Sequence, residues 1–383
     1  MKILFVANTS FFLHNFMLGT MRRVREEGCE VVAAAPVDEL TPGIVAGGFP
    51  VHPVRELDRK GTNPLQDIRL VRELYALYRR EKPDLVLHFT IKLNVFGGIA
   101  ARLAGVPSIP TITGLGWLFT DRSAKAFLGA QGYKLLYRVA LGPCPQVVFL
   151  NRDDRAFFVK SRLAREARCI VIPGSGVDTD RFAPPETGVN RGENGGCVFL
   201  LVARLLWDKG VGEYADAARI VKKTYPDAEF RLLGPFDREN RAAVPESAVR
   251  GWEAEGAVTY LGRTDDVRPF VGESDVVVLP SYREGLPSVL LEAMSMARPV
   301  IASDVPGCRD LVEEGRTGFL VPAQDAGALA DRMVTCIGLG AEGRGKMGMR
   351  ARERALGEFD TRKAEGAYAS LVNGALGRKT RAR

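Results

Sequence analysis

The 383-residue chain is poor in the residues that metal and redox chemistry use most, with three histidines and six cysteines. The cysteines (Cys29, Cys144, Cys169, Cys197, Cys308, Cys336) are scattered with no CxxC or CxH spacing, which argues against a disulfide framework or a zinc site and reads as buried thiols in a reducing compartment. No apolar run approaches the ~18 residues a membrane span needs, and the KILFVA start lacks the form of a signal peptide. No GxGxxG follows a candidate strand; Gly114-Leu115-Gly116 runs on into WLF, which disfavours a dinucleotide oxidoreductase. Basic residues are spread without an interleaved aromatic platform, so nucleic acid is not an expected partner despite a net charge of +7. There is no internal repeat, and the one biased tract is the basic tail GRKTRAR.

What remains is an ordinary globular composition, 46% apolar and 26% charged, long enough for two cores. Strand-like runs rich in Val, Ile and Leu fall at 2–7, 30–36, 84–89, 108–113 and 146–150. A second series follows at 197–203, 229–234, 258–262, 275–281, 299–304 and 318–322. They lack strict alternation, as parallel strands covered on both faces do, and helix-like stretches such as 64–84 separate them. Strand–helix alternation twice over predicts an α/β chain of two doubly wound parallel sheets, with ligands at the strands' carboxyl ends. A Gly/Pro-rich stretch from 173 to 196 reads as the hinge. The expected division is 1–175, a linker at 176–196, 197–360, and a C-terminal helix with its basic tail at 361–383.

One stretch within the second series, YREGLPSVLLEAM, keeps two carboxylates, Glu284 and Glu292, in an apolar setting with seven residues between them. With a strand ending near Ser281 and Pro287 in the first turn of the next helix, Glu284 sits in the loop and Glu292 inside the helix. A carboxylate there needs donors, which vicinal sugar hydroxyls supply. The backbone amides of Ser288, Val289 and Leu290 at the helix start suit a phosphate. The same residues also fit an amphipathic helix with a solvated Glu292. Arg204 and Lys209 in VARLLWDKGV lie just past another strand end, where two cations make a diphosphate site if they converge.

Together these motifs, with LGRTDDV at 261–267, resemble the retaining glycosyltransferases of family 4, which have the GT-B fold of two Rossmann-like domains facing a cleft. The resemblance implies that Glu284 holds the donor sugar, Glu292 the ribose diol, and Arg204 and Lys209 the diphosphate. It further implies that Gly285, Leu286, Pro287 and the amides beyond cradle sugar and distal phosphate, and that Gly262, Arg263 and Thr264 line the base pocket. The donor is expected to be a UDP-sugar. The cations would stabilise the leaving diphosphate without a metal, so no cofactor is expected. Asp178-Thr179-Asp180 has the form of a metal-binding DxD but lies in the hinge and is similar to an interdomain turn of the family.

The first half, VLHFTIKLNVFGGIAARLAGVPSIPTITGLGWLF, looks like the bacterial branch that extends undecaprenyl-diphosphate-linked sugars, often with N-acetylhexosamines. Candidate acceptor residues are Asn8, Thr9 and Ser10, then His88, Lys92, Thr113 and Gly114. His88 also reads as a packed strand-end residue, and Lys92 as a solvated loop lysine. A lipid-linked acceptor implies a peripheral place on the inner face of the cytoplasmic membrane. Residues 122–142, with Lys134 and Arg138, or the phenylalanines of 11–17 are candidate docking segments, though both also read as core-facing helices. The competing functions are a nucleotide-sugar epimerase and a non-catalytic nucleotide-sugar binder. An epimerase would release little nucleotide in the presence of an acceptor, and a dead binder would more naturally have lost one of the four charged residues.

Overall fold

The structure, a computed structural model, describes residues 1–58, 61, 63–115, 124–185 and 196–377, with the side chains of 124–130 excepted. Part of the hinge stretch, the WLF of the first half, the start of the 122–142 segment and nearly all of the basic tail therefore lie outside the described residues. Two compact units are present, one of Met1–Ser175 with Thr361–Arg383 and one of Gly176–Asp360.

The first unit is built on seven strands: β1 (Lys2–Val6), β2 (Glu30–Ala35), β3 (Val51–Pro53), β4 (Leu85–Phe89), β5 (Ser108–Ile112), β6 (Val147–Phe149) and β7 (Cys169–Val171). Their order is β3-β2-β1-β4-β5-β6-β7, with every pairing parallel. β3 and β7, each three residues long and at an edge, are absent from the sequence reading. β3 also ends in proline, a residue that edges tolerate and central strands do not. The helix Pro64–Glu81 begins with Asn63 accepting from the Leu65 amide at 3.0 Å and Pro64 at the first position, and Lys82 ends it at φ +46° just before Pro83. The helix Thr361–Ala375 belongs to this unit. Tyr368 is wholly buried among Phe5, Phe89 and Ile109, and its hydroxyl lies 3.3 Å from Thr111 Oγ1.

The second unit holds β8 (Val198–Val202), β9 (Glu229–Leu233), β10 (Thr259–Tyr260), β11 (Val276–Leu279), β12 (Val300–Ser303) and β13 (Gly318–Val321). Their order is β10-β9-β8-β11-β12-β13, again all parallel. β8 and β11 are entirely buried except Val202, which matches their unbroken apolar sequence. In both sheets the winding reverses once, between β1 and β4 and between β8 and β11. The carboxyl side of such a reversal leaves a crevice between diverging loops, where open α/β sheets bind ligands.

Candidate active site

In the second unit the loops leaving β8 and β11 carry the residues the sequence singles out. They are tied to each other by the Tyr282 amide, which donates to Asp208 O at 2.9 Å. Lys209 Nζ lies 2.6 Å from Glu284 Oε1, both side chains largely buried. An ammonium has three donors, so one bond to Glu284 leaves two for phosphate oxygens. Arg204 is more open, with 55% of its side chain exposed, and pairs through Nη1 with Asp237 Oδ2 at 2.8 Å.

Two glycines let these loops approach. Gly210 has φ +71°, and a Cβ there would lie 2.2 Å from Pro280 O. Gly307, at φ +83°, backs the Glu284–Gly285 turn so closely that a Cβ would lie 2.6 Å from Gly285 O. Both positions require glycine for conformation and for space. Cys308, next in the chain, is a buried thiol raised well above its ordinary value by desolvation and then by the Glu284 carboxylate. Tyr282 donates its hydroxyl to Glu213 Oε1 at 2.6 Å, and burial followed by that carboxylate pushes the phenol up to about 12. Ser281 Oγ and Ser303 Oγ, at the ends of β11 and β12, are buried with no hydrogen-bond partner among the described residues.

The helix after Glu284 spans Ser288–Ser295, and Pro287 precedes it as the extended cap residue instead of sitting in its first turn. The Leu290 amide donates to Pro287 O at 3.2 Å, so of the three amides expected to receive a phosphate it is used within the turn, and Ser288 and Val289 head the helix. Leu286 is half-buried, and Pro287 is buried. Glu292 is largely buried one turn in. Desolvation raises its carboxyl to about 7, against a lowering by Arg181 and a further raising by Asp266. Asp266 itself is held down to about 2, chiefly by its hydrogen bonds to Arg268, at 2.8 and 2.7 Å from the guanidinium. Thr264 accepts the Asp266 amide at 3.0 Å, and Gly262 O accepts the Gly234 amide at 2.8 Å. The Gly262–Asp266 loop thus connects the end of β9 to the surroundings of Glu292, with Arg263 exposed.

Sequence reasoning found the four charged residues and missed what holds them: Arg181, Glu213, Asp237, Asp266, Tyr282 and Gly307. None of them was assigned a role there, although Tyr282 and Asp266 stand within YREGLPSVLLEAM and LGRTDDV. Asp178 of the DxD-like triplet accepts the amides of Asp180 at 3.2 Å and Arg181 at 2.9 Å, and so shapes its own turn.

In the first unit, Asn8, Thr9 and Ser10 follow β1, and Thr9 Oγ1 caps the next turn by accepting the Phe12 amide at 3.0 Å. Ser10 is buried and bonded to Pro36 O and to Thr41 Oγ1 at 3.0 and 2.8 Å. His88 is wholly buried, its Nε2 is 2.8 Å from the Tyr78 hydroxyl, and desolvation lowers it to about 3, so it is a neutral packed imidazole facing the core. Lys92 is not a solvated loop lysine: its Nζ is 2.8 Å from Asp67 Oδ1, with both side chains 12% exposed. Thr113 and Gly114, the latter at φ +145°, are half-buried past β5. Two further features escaped the sequence. Thr90 has φ +74°, an outlier for a β-branched residue, and both helical stretches after β1 and β4 contain a π-turn, at Leu13–Met17 and Leu93–Gly97. Strain and π-turns gather where this sheet's winding reverses.

Residues 196–338 match the family described as Glycosyl transferases group 1, and residues 2–144 the family described as Glycosyl transferase 4-like. The chain is 28% identical, over 87% of its length and 88% of the relative's, to the N,N'-diacetylbacillosaminyl-diphospho-undecaprenol alpha-1,3-N-acetylgalactosaminyltransferase of Campylobacter jejuni. It is 30% identical, over 70% of each chain, to the UDP-Gal:alpha-D-GlcNAc-diphosphoundecaprenol alpha-1,3-galactosyltransferase of Escherichia coli. Among solved structures it resembles HepE of Anabaena in complex with UDP (TM-score 0.78, 19% identity, 98% of this chain and 100% of that one). It also resembles a sucrose-phosphate synthase of Thermosynechococcus elongatus (TM-score 0.81, 18% identity, the same coverage). The chain therefore belongs to the family 4 glycosyltransferases, hexosyltransferases of the GT-B fold.

Proposed function

We propose that this enzyme transfers an N-acetylhexosamine from a UDP-sugar to a saccharide carried on a polyprenyl diphosphate, with retention of the anomeric configuration, in bacterial glycan or glycoprotein assembly. The bond between the sugar's anomeric carbon and the distal phosphate oxygen breaks as an acceptor hydroxyl attacks from the same face, and the departing diphosphate takes the hydroxyl proton. Arg204, Lys209 and the amides of Ser288 and Val289 neutralise the charge that grows on that diphosphate, a preorganised stabilisation that needs no metal. Glu284 and Gly285 hold the sugar, Glu292 the ribose diol, and Gly262, Arg263 and Thr264 the base. Asn8, Thr9, Thr113 and Gly114 serve the acceptor. Ser10 and Lys92 support that surface from within, given their internal bonds.

The observation that carries this reading is the Lys209–Glu284 pair of 2.6 Å at the reversal of the second sheet. It occurs in a chain whose relatives are named for transfer onto diphosphoundecaprenol-linked sugars. An epimerase or an inert binder is not favoured by any of those relatives. A lipid-linked acceptor puts the enzyme at the inner face of the cytoplasmic membrane as a peripheral protein. Among the described residues no helix is long and apolar enough to cross it.

The test is a panel of UDP-GlcNAc, UDP-GalNAc, UDP-Glc and GDP-Man with a polyprenyl-diphosphate-sugar acceptor, scored by nucleotide release and product mass. The expected result is an acceptor longer by one N-acetylhexosamine from a UDP donor. Elongation from GDP-Man alone, or an epimerised donor with no longer acceptor, contradicts the proposal.

A further inference from the structure

The 18-residue helix Pro64–Glu81 has two unlike faces. Its inner face buries Leu70, Leu74, Leu77 and Tyr78. Its outer face exposes three large apolar side chains, Leu65 at 68%, Ile68 at 51% and Tyr75 at 39%. Arg69, Arg72 and Arg79 are exposed among them. At 3.6 residues per turn and a rise of 1.5 Å per residue, these six positions fall within an arc of about 120° along about 21 Å of helix.

All the helix's acids are turned away and engaged. Asp67 is buried against Lys92, Glu73 accepts the amides of Arg55 and Glu56 at 2.8 and 2.9 Å, and Glu81 pairs with Lys2 at 3.3 Å and His52 at 3.2 Å. Among the described residues no carboxylate pairs with Arg69, Arg72 or Arg79. The outer face is therefore apolar and purely cationic, which in water is unfavourable on both counts: apolar area stays wet and like charges stand unneutralised. A surface offering both hydrocarbon and phosphate relieves both.

We infer that this face is where the enzyme docks on an anionic phospholipid bilayer, its arginines on lipid phosphates and Leu65, Ile68 and Tyr75 at the acyl boundary. The inference deepens the proposed use of a polyprenyl acceptor and rests on it. The two segments that the sequence suggested for this role are weaker. Phe12 and Phe16 of 11–17 pack against the core at Phe89 and against each other, and Arg138 of 122–142 donates to Ser161 O at 3.5 Å.

The experiment is sedimentation of the full chain with vesicles of phosphatidylcholine alone or mixed with phosphatidylglycerol, at low and high salt. Wild type should bind the mixed vesicles, bind the neutral ones at least tenfold more weakly, and be released by salt. The triple variant Arg69→Glu, Arg72→Glu, Arg79→Glu should lose at least tenfold in partitioning, since each surface cation contributes a factor of about five. The Arg→Gln triple variant gives the same reading, with a smaller loss, should charge reversal disturb folding by circular dichroism. Leu65→Ser with Ile68→Ser should weaken binding at all salt concentrations. Equal partitioning of wild type and the triple variants overturns the inference. So does loss of binding on Phe11→Ser or Leu135→Ser alone, or a helix face that serves to dimerise the chain in sizing experiments.

Transfer to a short-chain, water-soluble acceptor separates the two claims. The variants should match wild type there and fall behind it with acceptor in vesicles. Wild type inactive on the soluble acceptor counts against the proposed function, while the vesicle result stands by itself.

Discussion

Lys209 and Glu284 form a mutually dependent pair, 2.6 Å apart and mostly out of water. Removing either leaves a partly buried charge unpaired, so single replacements carry a desolvation cost on top of lost chemistry. Lys209→Ala and Arg204→Ala should each lower turnover by ~10²–10³ with the fold intact by circular dichroism. Turnover unchanged in both would remove the cations from the reaction. The pair should also be non-additive: Lys209→Ala/Glu284→Gln should lose less than the sum of its singles, which a double-mutant cycle on kcat/KM reads directly.

Glu292 makes a prediction in pH. Its carboxyl is raised from 4.5 to about 7, so the folded chain holds the proton more tightly than the unfolded chain does. The stability this contributes is complete below 4.5 and is lost as pH rises through about 7. A ribose diol, which donates two hydroxyls, prefers the charged form. Affinity for a UDP-sugar, whose esterified phosphates do not titrate in this range, should therefore rise from pH 6 to pH 8, with protons released on binding. Calorimetry in buffers of different ionisation enthalpy measures both. Glu292→Gln should abolish the pH dependence and raise the melting temperature of the ligand-free protein at pH 8 more than at pH 6. An affinity flat with pH in wild type would take Glu292 out of the diol site.

At the scale of elements, the loop after β11 is held from behind by Gly307 and from the side by Tyr282, through its amide on Asp208 and its hydroxyl on Glu213. Gly307→Ala puts a methyl against Gly285 O at a left-handed backbone position. The cost should be about 1–3 kcal/mol, seen as a lower melting temperature, with at least ~10-fold lower turnover from the displaced Glu284. Unchanged activity would mean that the loop's position does not matter to the chemistry.

These supports also show why the site was only partly legible in sequence. Glu284, Glu292, Arg204 and Lys209 stand out because charge in an apolar run is costly and calls for a partner. Asp237, Asp266 and Arg181 sit in polar loops where any charge looks solvated, and only folding brings them to the site. The central strands were readable as unbroken Val/Ile/Leu runs, since both faces are covered. β3 and β7, edge strands of three residues each, were not read, although β10, shorter still and also at an edge, was. Lys92 illustrates the converse: a lysine past a strand end looks free until Asp67, 25 positions earlier, turns inward to meet it.

At the scale of the whole molecule, the chain leaves its first unit at Ser175 and rejoins it at Thr361. The helix Thr361–Ala375 contributes Ala364, Tyr368, Ala369 and Val372 to the first unit's core, so that unit is incomplete without the last part of the sequence. Tyr368→Ala should cost about 3–5 kcal/mol through the cavity it leaves, and removal of 361–383 should leave a first unit that aggregates when expressed. A soluble, cooperatively melting truncation would show the helix to be dispensable.

The claim on which the rest depends is that a nucleoside diphosphate is held where the loops after β8 and β11 meet. Calorimetric titration of UDP into wild type and Lys209→Ala tests it most directly. One molecule should bind per chain, and the variant should bind markedly more weakly while still folding by circular dichroism and melting cooperatively. No heat of binding with wild type, or equal affinity in the two proteins, would contradict it.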